Sequence, residues 1–184
     1  ELASALTKDP FRFRLQHLAG ESTKRIRRAL RHVGTMSDWE RARNKGTALG
    51  IACCQDYGTV VAQVAEVEID NNLIRVRRIW AVMDCGQVVN PNGAINQVEG
   101  NIIWGTSSAL KEAITFQDGK PVASNFDRYP LLRFDEAPAV PVELLPSDLH
   151  PPGVAEPALG PVPASTHSQF QPATGDRPPA LPHH

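Results

Sequence analysis

The sequence predicts an α+β fold in which β-hairpins in a mixed sheet pack against helices. Three observations carry that prediction. Apolar residues recur at three-to-four spacing through residues 1–34. Two β-rich runs then flank the turn cluster Asp70-Asn-Asn72. A long helix with a clear start signal follows from Asn90.

In the opening segment the pattern runs Leu2, Leu6, then Phe11, Leu15, Leu18, then Ile26, Leu30, Val33. Asp9-Pro10 reads as a helix cap with Pro at the first helical position, and Gly20 as a stop. Short helices with breaks at those points are expected, then a polar loop over 35–46. Thr59-Val-Val-Ala-Gln-Val-Ala-Glu-Val-Glu-Ile69 and Leu73-Ile-Arg-Val-Arg-Arg-Ile-Trp-Ala-Val-Met83 form the two arms of a hairpin. Strict alternation would put Ile74, Val76 and Arg78 on one face. Asp84-Cys-Gly86 ends the second arm.

The helix from Asn90 has Pro91 in its first turn and should reach about Glu112. Ile95, Val98, Ile102, Ala109 and Leu110 supply its packing face. Gln97, Asn101, Trp104 and Ser108 share another stripe, which is polar yet uncharged. An outer helix face normally carries Lys and Glu. Gly100 and Gly105 sit inside the helix at a cost of about 1 kcal/mol each. Either a packed neighbour or a bound ligand needs the close approach they permit. A second hairpin is expected around Asp118-Gly119. Fourteen of the sixteen prolines lie at or beyond Pro121, so extended segments follow. The organisation is a helical segment at 1–45, an α+β unit at 46–160 and a proline-rich irregular tail at 161–184.

Composition removes several function classes. No apolar run reaches the roughly 18 residues a membrane span requires. The three cysteines, Cys53, Cys54 and Cys85, have no ligand-like spacing, so three reduced thiols are expected rather than a disulfide scaffold or metal site. No HExxH, phosphate-cradling glycine loop or GxSxG elbow occurs. Residues 1–45 hold eleven Lys/Arg against five Asp/Glu, although the whole chain is net -1. The run Arg25-Ile-Arg-Arg-Ala-Leu-Arg31 reads as a solvated face or a contact for an acidic partner. Nucleic-acid binding is the weaker alternative, because no aromatics are interleaved.

Glu156 is the ionisable residue of most interest. It lies in Pro151-Pro-Gly-Val-Ala-Glu-Pro-Ala-Leu-Gly160, which holds no other charge. Burial there would raise its pKa toward the range of a general base. The alternative is a solvated loop carboxylate.

Taken in order, Tyr57-Gly-Thr-Val-Val-Ala, Glu66-Val-Glu-Ile-Asp70, Val82-Met-Asp-Cys-Gly86, Val89-Asn-Pro91, Gln97-Val-Glu-Gly100 and Gly153-Val-Ala-Glu-Pro157 resemble the xanthine oxidase and aldehyde oxidoreductase family. The similar part is the C-terminal portion of the molybdopterin-binding large subunit, with the isoquinoline 1-oxidoreductase β-subunit group nearest. The resemblance implies a molybdopterin-binding-domain-like subdomain that is incomplete without upstream chain. It implies hydroxylation of an aldehyde or N-heterocycle with oxygen from water, and a molybdopterin cytosine dinucleotide cofactor carrying molybdenum. The 2Fe-2S clusters would lie on a small partner subunit. Glu156 matches the family's general base. Gln97, Gly100 and Ala155 match cofactor-contacting stretches, with Ala155 standing where Gly is usual. After Gly160 the family's alanine-rich helix is replaced by Pro163, Ser165, Thr166, His167, Ser168 and Gln169. A non-catalytic assembly module that keeps the fold is the competing expectation.

Overall fold

The computed structural model describes residues 2–44, 46–70 and 73–167. Helices α1 (Leu2–Ala5), α2 (Pro10–His17) and α3 (Lys24–Met36) open the chain, with a short 3-10 turn at Glu21–Thr23. Asp9 caps α2 by accepting from the Arg12 N–H at 2.8 Å, and its other oxygen accepts from the Trp39 indole at 3.0 Å. Gly34 of α3 is the crossing point with α2. A Cβ there would lie 2.5 Å from the Phe11 ring.

Strands β1 (Thr47–Asp56), β2 (Thr59–Asp70) and β3 (Leu73–Asp84) form an antiparallel meander. The expected hairpin is its second half; β1 is an additional strand. It joins β2 through Tyr57-Gly58, both at positive φ, which is the backbone of a tight two-residue hairpin. Strand β2 is inaccessible on both sides: Val60, Val61, Ala62, Gln63, Val64, Ala65 and Val67 are all fully buried.

Two layers cover it. Ala29, Leu30 and Val33 of α3 pack with Val60, Val64, Trp80 and Val82 on one face. The other face packs Val61, Ala65, Ile79, Ala81 and Met83 against Val98, Ile102, Ala158 and Val162.

A bulge modifies the expected alternation. Val67 pairs with Val76 and Glu66 with Arg78, which leaves Arg77 as an extra residue. Ile74 and Val76 therefore share the face of Ile79 and Ala81, while Arg78 goes to the face of Trp80, over which its guanidinium lies at 5.4 Å.

Helix α4 (Pro91–Leu110) begins as expected, with the Asn90 side chain accepting from the Gly93 N–H at 3.0 Å. It stops two residues short of Glu112, because Lys111 and Glu112 both donate to the Ser107 carbonyl. Strands β4 (Phe116–Gln117) and β5 (Lys120–Pro121) form the second hairpin about Asp118-Gly119. Strand β6 (Val142–Leu144) adds to the β3 edge in parallel, so the sheet is mixed with order β1-β2-β3-β6.

Helix α5 (Pro161–His167) corrects the expectation of an irregular tail from residue 161. Proline is acceptable in a first turn, and Val162, Ser165 and Thr166 are buried, so tertiary packing overrides the sequence's poor helix propensity. Gly105 of α4 admits this helix. A Cβ there would meet Val162 at 3.0 Å. The remainder of the expected tail, 168–184, lies outside the described residues.

Arg25 ties α3 to the sheet. Its Nε and Nη2 donate to the two carboxylate oxygens of buried Asp84, each at 2.9 Å, and Nη1 donates to the Gly58 carbonyl at 2.8 Å. Arg27 bonds the Leu18 carbonyl and Arg28 the Pro146 carbonyl. Three of the four arginines in the basic run thus serve the fold itself. Burial pushes the Asp84 carboxyl up, but Arg25 and the Gly86 N–H together hold it below the ordinary carboxylate range. Its stabilising contribution is therefore complete above pH about 3.9 and is lost as pH falls through the lowered folded-state value. Replacing Arg25 with Ala leaves a buried unpaired carboxylate, and urea unfolding at neutral pH should show a loss of about 3 kcal/mol. The deficit should shrink as the buffer is taken well below pH 4, where the carboxylate of the parent chain is itself protonated.

Candidate functional site

The segment from Pro151 to Gly160 runs over the sheet face that carries α4 and α5. It bears prolines at 151, 152 and 157 and has no strand partner. Its carbonyls are satisfied by side chains instead. The Thr59 hydroxyl donates to the Gly153 carbonyl at 2.7 Å. The Cys54 thiol donates to Pro157 at 3.2 Å, and the Gln63 amide donates to Ala158 at 2.6 Å. Asn101 of α4 closes the other side, donating to the Ala155 carbonyl and also to Gln97 O, the latter at 2.7 Å.

These contacts set the turn of α4 that carries Gln97 beside the loop that carries Ala155 and Glu156. Asn101 lies one turn from Gln97 and binds the residue beside Glu156. Gln97 is exposed and lines a groove of about 370 Å³ between the start of α4 and Pro151–Val154. Gln87, Asn90, Pro152 and Val154 share that lining, which holds no charged side chain. Gly100 is exposed, and nothing lies within 4 Å of a Cβ built on it. Ala155 and Glu156 are both exposed, above buried Pro157 and Ala158.

The burial considered for Glu156 is therefore absent from this chain. The apolar character of its neighbours reflects the packing of Pro157 and Ala158 beneath it, not a pocket around the acid. The polar stripe of α4 divides likewise. Asn101 is buried, Trp104 is exposed, and Ser108 donates to Glu112 at 3.1 Å.

Sequence reasoning passed over Cys54, Thr59 and Gln63. Only Gln63 left a signal, as a lone amide within the otherwise apolar run from Val60 to Ala65. Its Oε1 has no hydrogen-bond partner among the described residues, and the acceptor at Ala158 fixes which end of the amide faces the loop. All three cysteines are free, and no cluster of three or more metal-ligating side chains occurs among the described residues.

Residues 8–138 match the molybdopterin cofactor-binding domain family, which places Gln97 and Gly100 inside the match. The chain belongs to that family. Its relatives extend the likeness through residue 156. The β-subunit of isoquinoline 1-oxidoreductase from Brevundimonas diminuta is 36% identical over 99% of this chain and 24% of its own length. A nicotinate dehydrogenase subunit from Pseudomonas putida is 31% identical over 96% of the chain and 16% of that protein. Quinoline 2-oxidoreductase from Pseudomonas putida 86 superposes with a TM-score of 0.57 at 25% identity, covering 64% of this chain and 16% of that one. This molybdopterin cofactor-binding domain chain thus spans about a quarter or less of the relatives it matches. No helix among its described residues is long and apolar enough to cross a membrane.

Burial first, then the charges of Asp56 and Cys53, push the Cys54 thiol up to about 11. It therefore stays a protonated donor to Pro157 at neutral pH. Alkylation by iodoacetamide at pH 8 should label Cys54 on the order of a hundredfold more slowly than a free cysteine, because the thiolate is the reactive form. Urea should abolish the difference.

Proposed function

We propose that this chain is part of the large subunit of a molybdenum hydroxylase, in which it carries one side of the cofactor site and the general base. The observation that carries the reading is the Asn101 bridge, which joins the Gln97 turn of α4 to the backbone beside Glu156. The uncharged groove lined by Gln97 and the loop backbone that carries Glu156 thereby adjoin. The names of the relatives favour an N-heterocycle as the class of substrate, and the family resemblance of the sequence leaves an aldehyde as the alternative.

The residues present suit a molybdopterin cytosine dinucleotide. Gln97 can bond pterin edges without adding charge, the open backbone at Gly100 permits close approach, and Ala155 lies on the Glu156 side. Bound there, that group would supply the two-electron oxidation of the substrate carbon. Glu156 accepts a proton at its carboxylate during the attack of water-derived oxygen. The missing cover and specificity pocket would come from the upstream part of the same subunit. Electrons would leave through 2Fe-2S clusters on a small partner subunit.

In the complete enzyme, Glu156→Gln should lower kcat by roughly 10²- to 10⁴-fold while metal analysis finds molybdenum undiminished. Parental turnover in a molybdenum-replete variant would exclude the base assignment. A second reading, a non-catalytic assembly module, draws on the exposure of Glu156. A full complement of molybdenum in the purified assembly counts against it.

A further inference from the structure

The Glu156 loop is held in an unusual way, and we propose that Thr59, Gln63 and Asn101 are positioning residues that fix the Glu156 carboxylate by gripping the carbonyls of Gly153, Ala158 and Ala155. This assignment rests on the reading of Glu156 as the base.

The geometry is specific. Thr59 and Gln63 lie on the same side of β2, four residues apart, which is about 13 Å along a strand. Gly153 and Ala158 lie five residues apart on the loop that runs over them. The strand thus holds the loop at both ends of the stretch that carries the acid. Asn101 holds its middle from the opposite side, at the residue preceding the acid. Three donors from two rigid elements leave Ala155-Glu156 little freedom to slide or rotate. Pro157 restricts the backbone of Glu156 further.

Gln63 shows that this grip has a cost. It is fully buried within the apolar face, and its Oε1 finds no partner among the described residues. An unsatisfied buried acceptor is destabilising. An apolar side chain of similar volume would fill the space without that penalty. The amide does what an apolar side chain cannot, which is to donate to Ala158 at 2.6 Å. A buried, half-satisfied polar group is accounted for when its satisfied half fixes something functional.

The test uses the holoenzyme containing this chain. Gln63→Met keeps volume and removes the donor; Thr59→Val does the same at the other end, and Thr59→Ser restores the hydroxyl. Misplacing a reacting group by about 1 Å costs on the order of a hundredfold in rate. Gln63→Met and Thr59→Val should therefore each lower kcat tenfold or more, with KM changed less than about twofold and molybdenum content unchanged. Thr59→Ser should recover most of the loss. Amide hydrogen exchange over 153–160 should speed up at least severalfold in Gln63→Met, in cofactor-loaded and cofactor-free protein alike. In a Glu156→Gln background the same two substitutions should cost nothing further. Equal losses in both backgrounds would mean the donors act elsewhere and would overturn the positioning role. So would parental kcat and parental exchange rates in both single variants. Undiminished turnover in Glu156→Gln alone would instead remove the base reading itself. If Gln63→Met does not fold, Thr59→Val and its serine counterpart decide the matter.

Discussion

A central strand with no wet side governs this molecule. From Val60 to Ala65, β2 shows nothing to solvent on either face, so each face demands its own apolar cover. Helix α3 supplies one. Helices α4 and α5, together with the 153–158 segment, supply the other. In so dry a layer each polar side chain needs at least one partner within the protein. That requirement turns the one amide on the strand into a tether for the loop above it. It likewise turns Asp84, at the end of β3, into the anchor for Arg25. The fold and the candidate site are thus products of one constraint, burial without water.

Much of this was legible in the sequence. The near-continuous apolar run of β2, the polar turn after it and the Asn90-Pro91 start of α4 are strong local signals, and local signals decided those elements. Strand β1 was not legible. Thr47-Ala-Leu-Gly-Ile-Ala-Cys-Cys holds mostly small residues with a glycine inside, and its strand state comes from ten paired positions on β2 rather than from its own preference. Helix α5 was hidden for the opposite reason. Its prolines argue against helix, yet both fall in the first turn, and Val162 seats against Gly105. The Arg25 run was legible as basic, but only tertiary structure shows that its charges are directed at Asp84 and at chain carbonyls.

The site was legible in part and for different reasons. Gln97 and Glu156 stand out through resemblance, one on a helix with an odd neutral stripe, the other alone in a charge-free segment. What joins them is Asn101, and what holds the segment is Thr59, Cys54 and Gln63. Those four sit in three elements, β1, β2 and α4, and each is an ordinary residue where it stands. Their meaning lies in which carbonyls they reach. The environment of Glu156 was not legible because small apolar neighbours fit both a pocket and a ledge. In this chain they form a ledge, and the relatives, four or more times longer, show how much further chain such a domain is built with.

The extra residue at Arg77 has a separate meaning. Its side chain is released from the in-and-out rhythm of the strand and reaches sideways to Glu68. On either side of it, inward residues follow opposite parity: Ile74 and Val76 before, then Ile79, Ala81 and Met83 after. The position is thus a unit of slack in the hairpin. Loss of Arg77 by itself would leave every inward side chain on its own side. Loss of one residue between Arg78 and Asp84 would exchange the indole of Trp80 with the small side chains opposite and misfit both layers at once. Sequence length in this sheet can drift at one place and is locked beyond it.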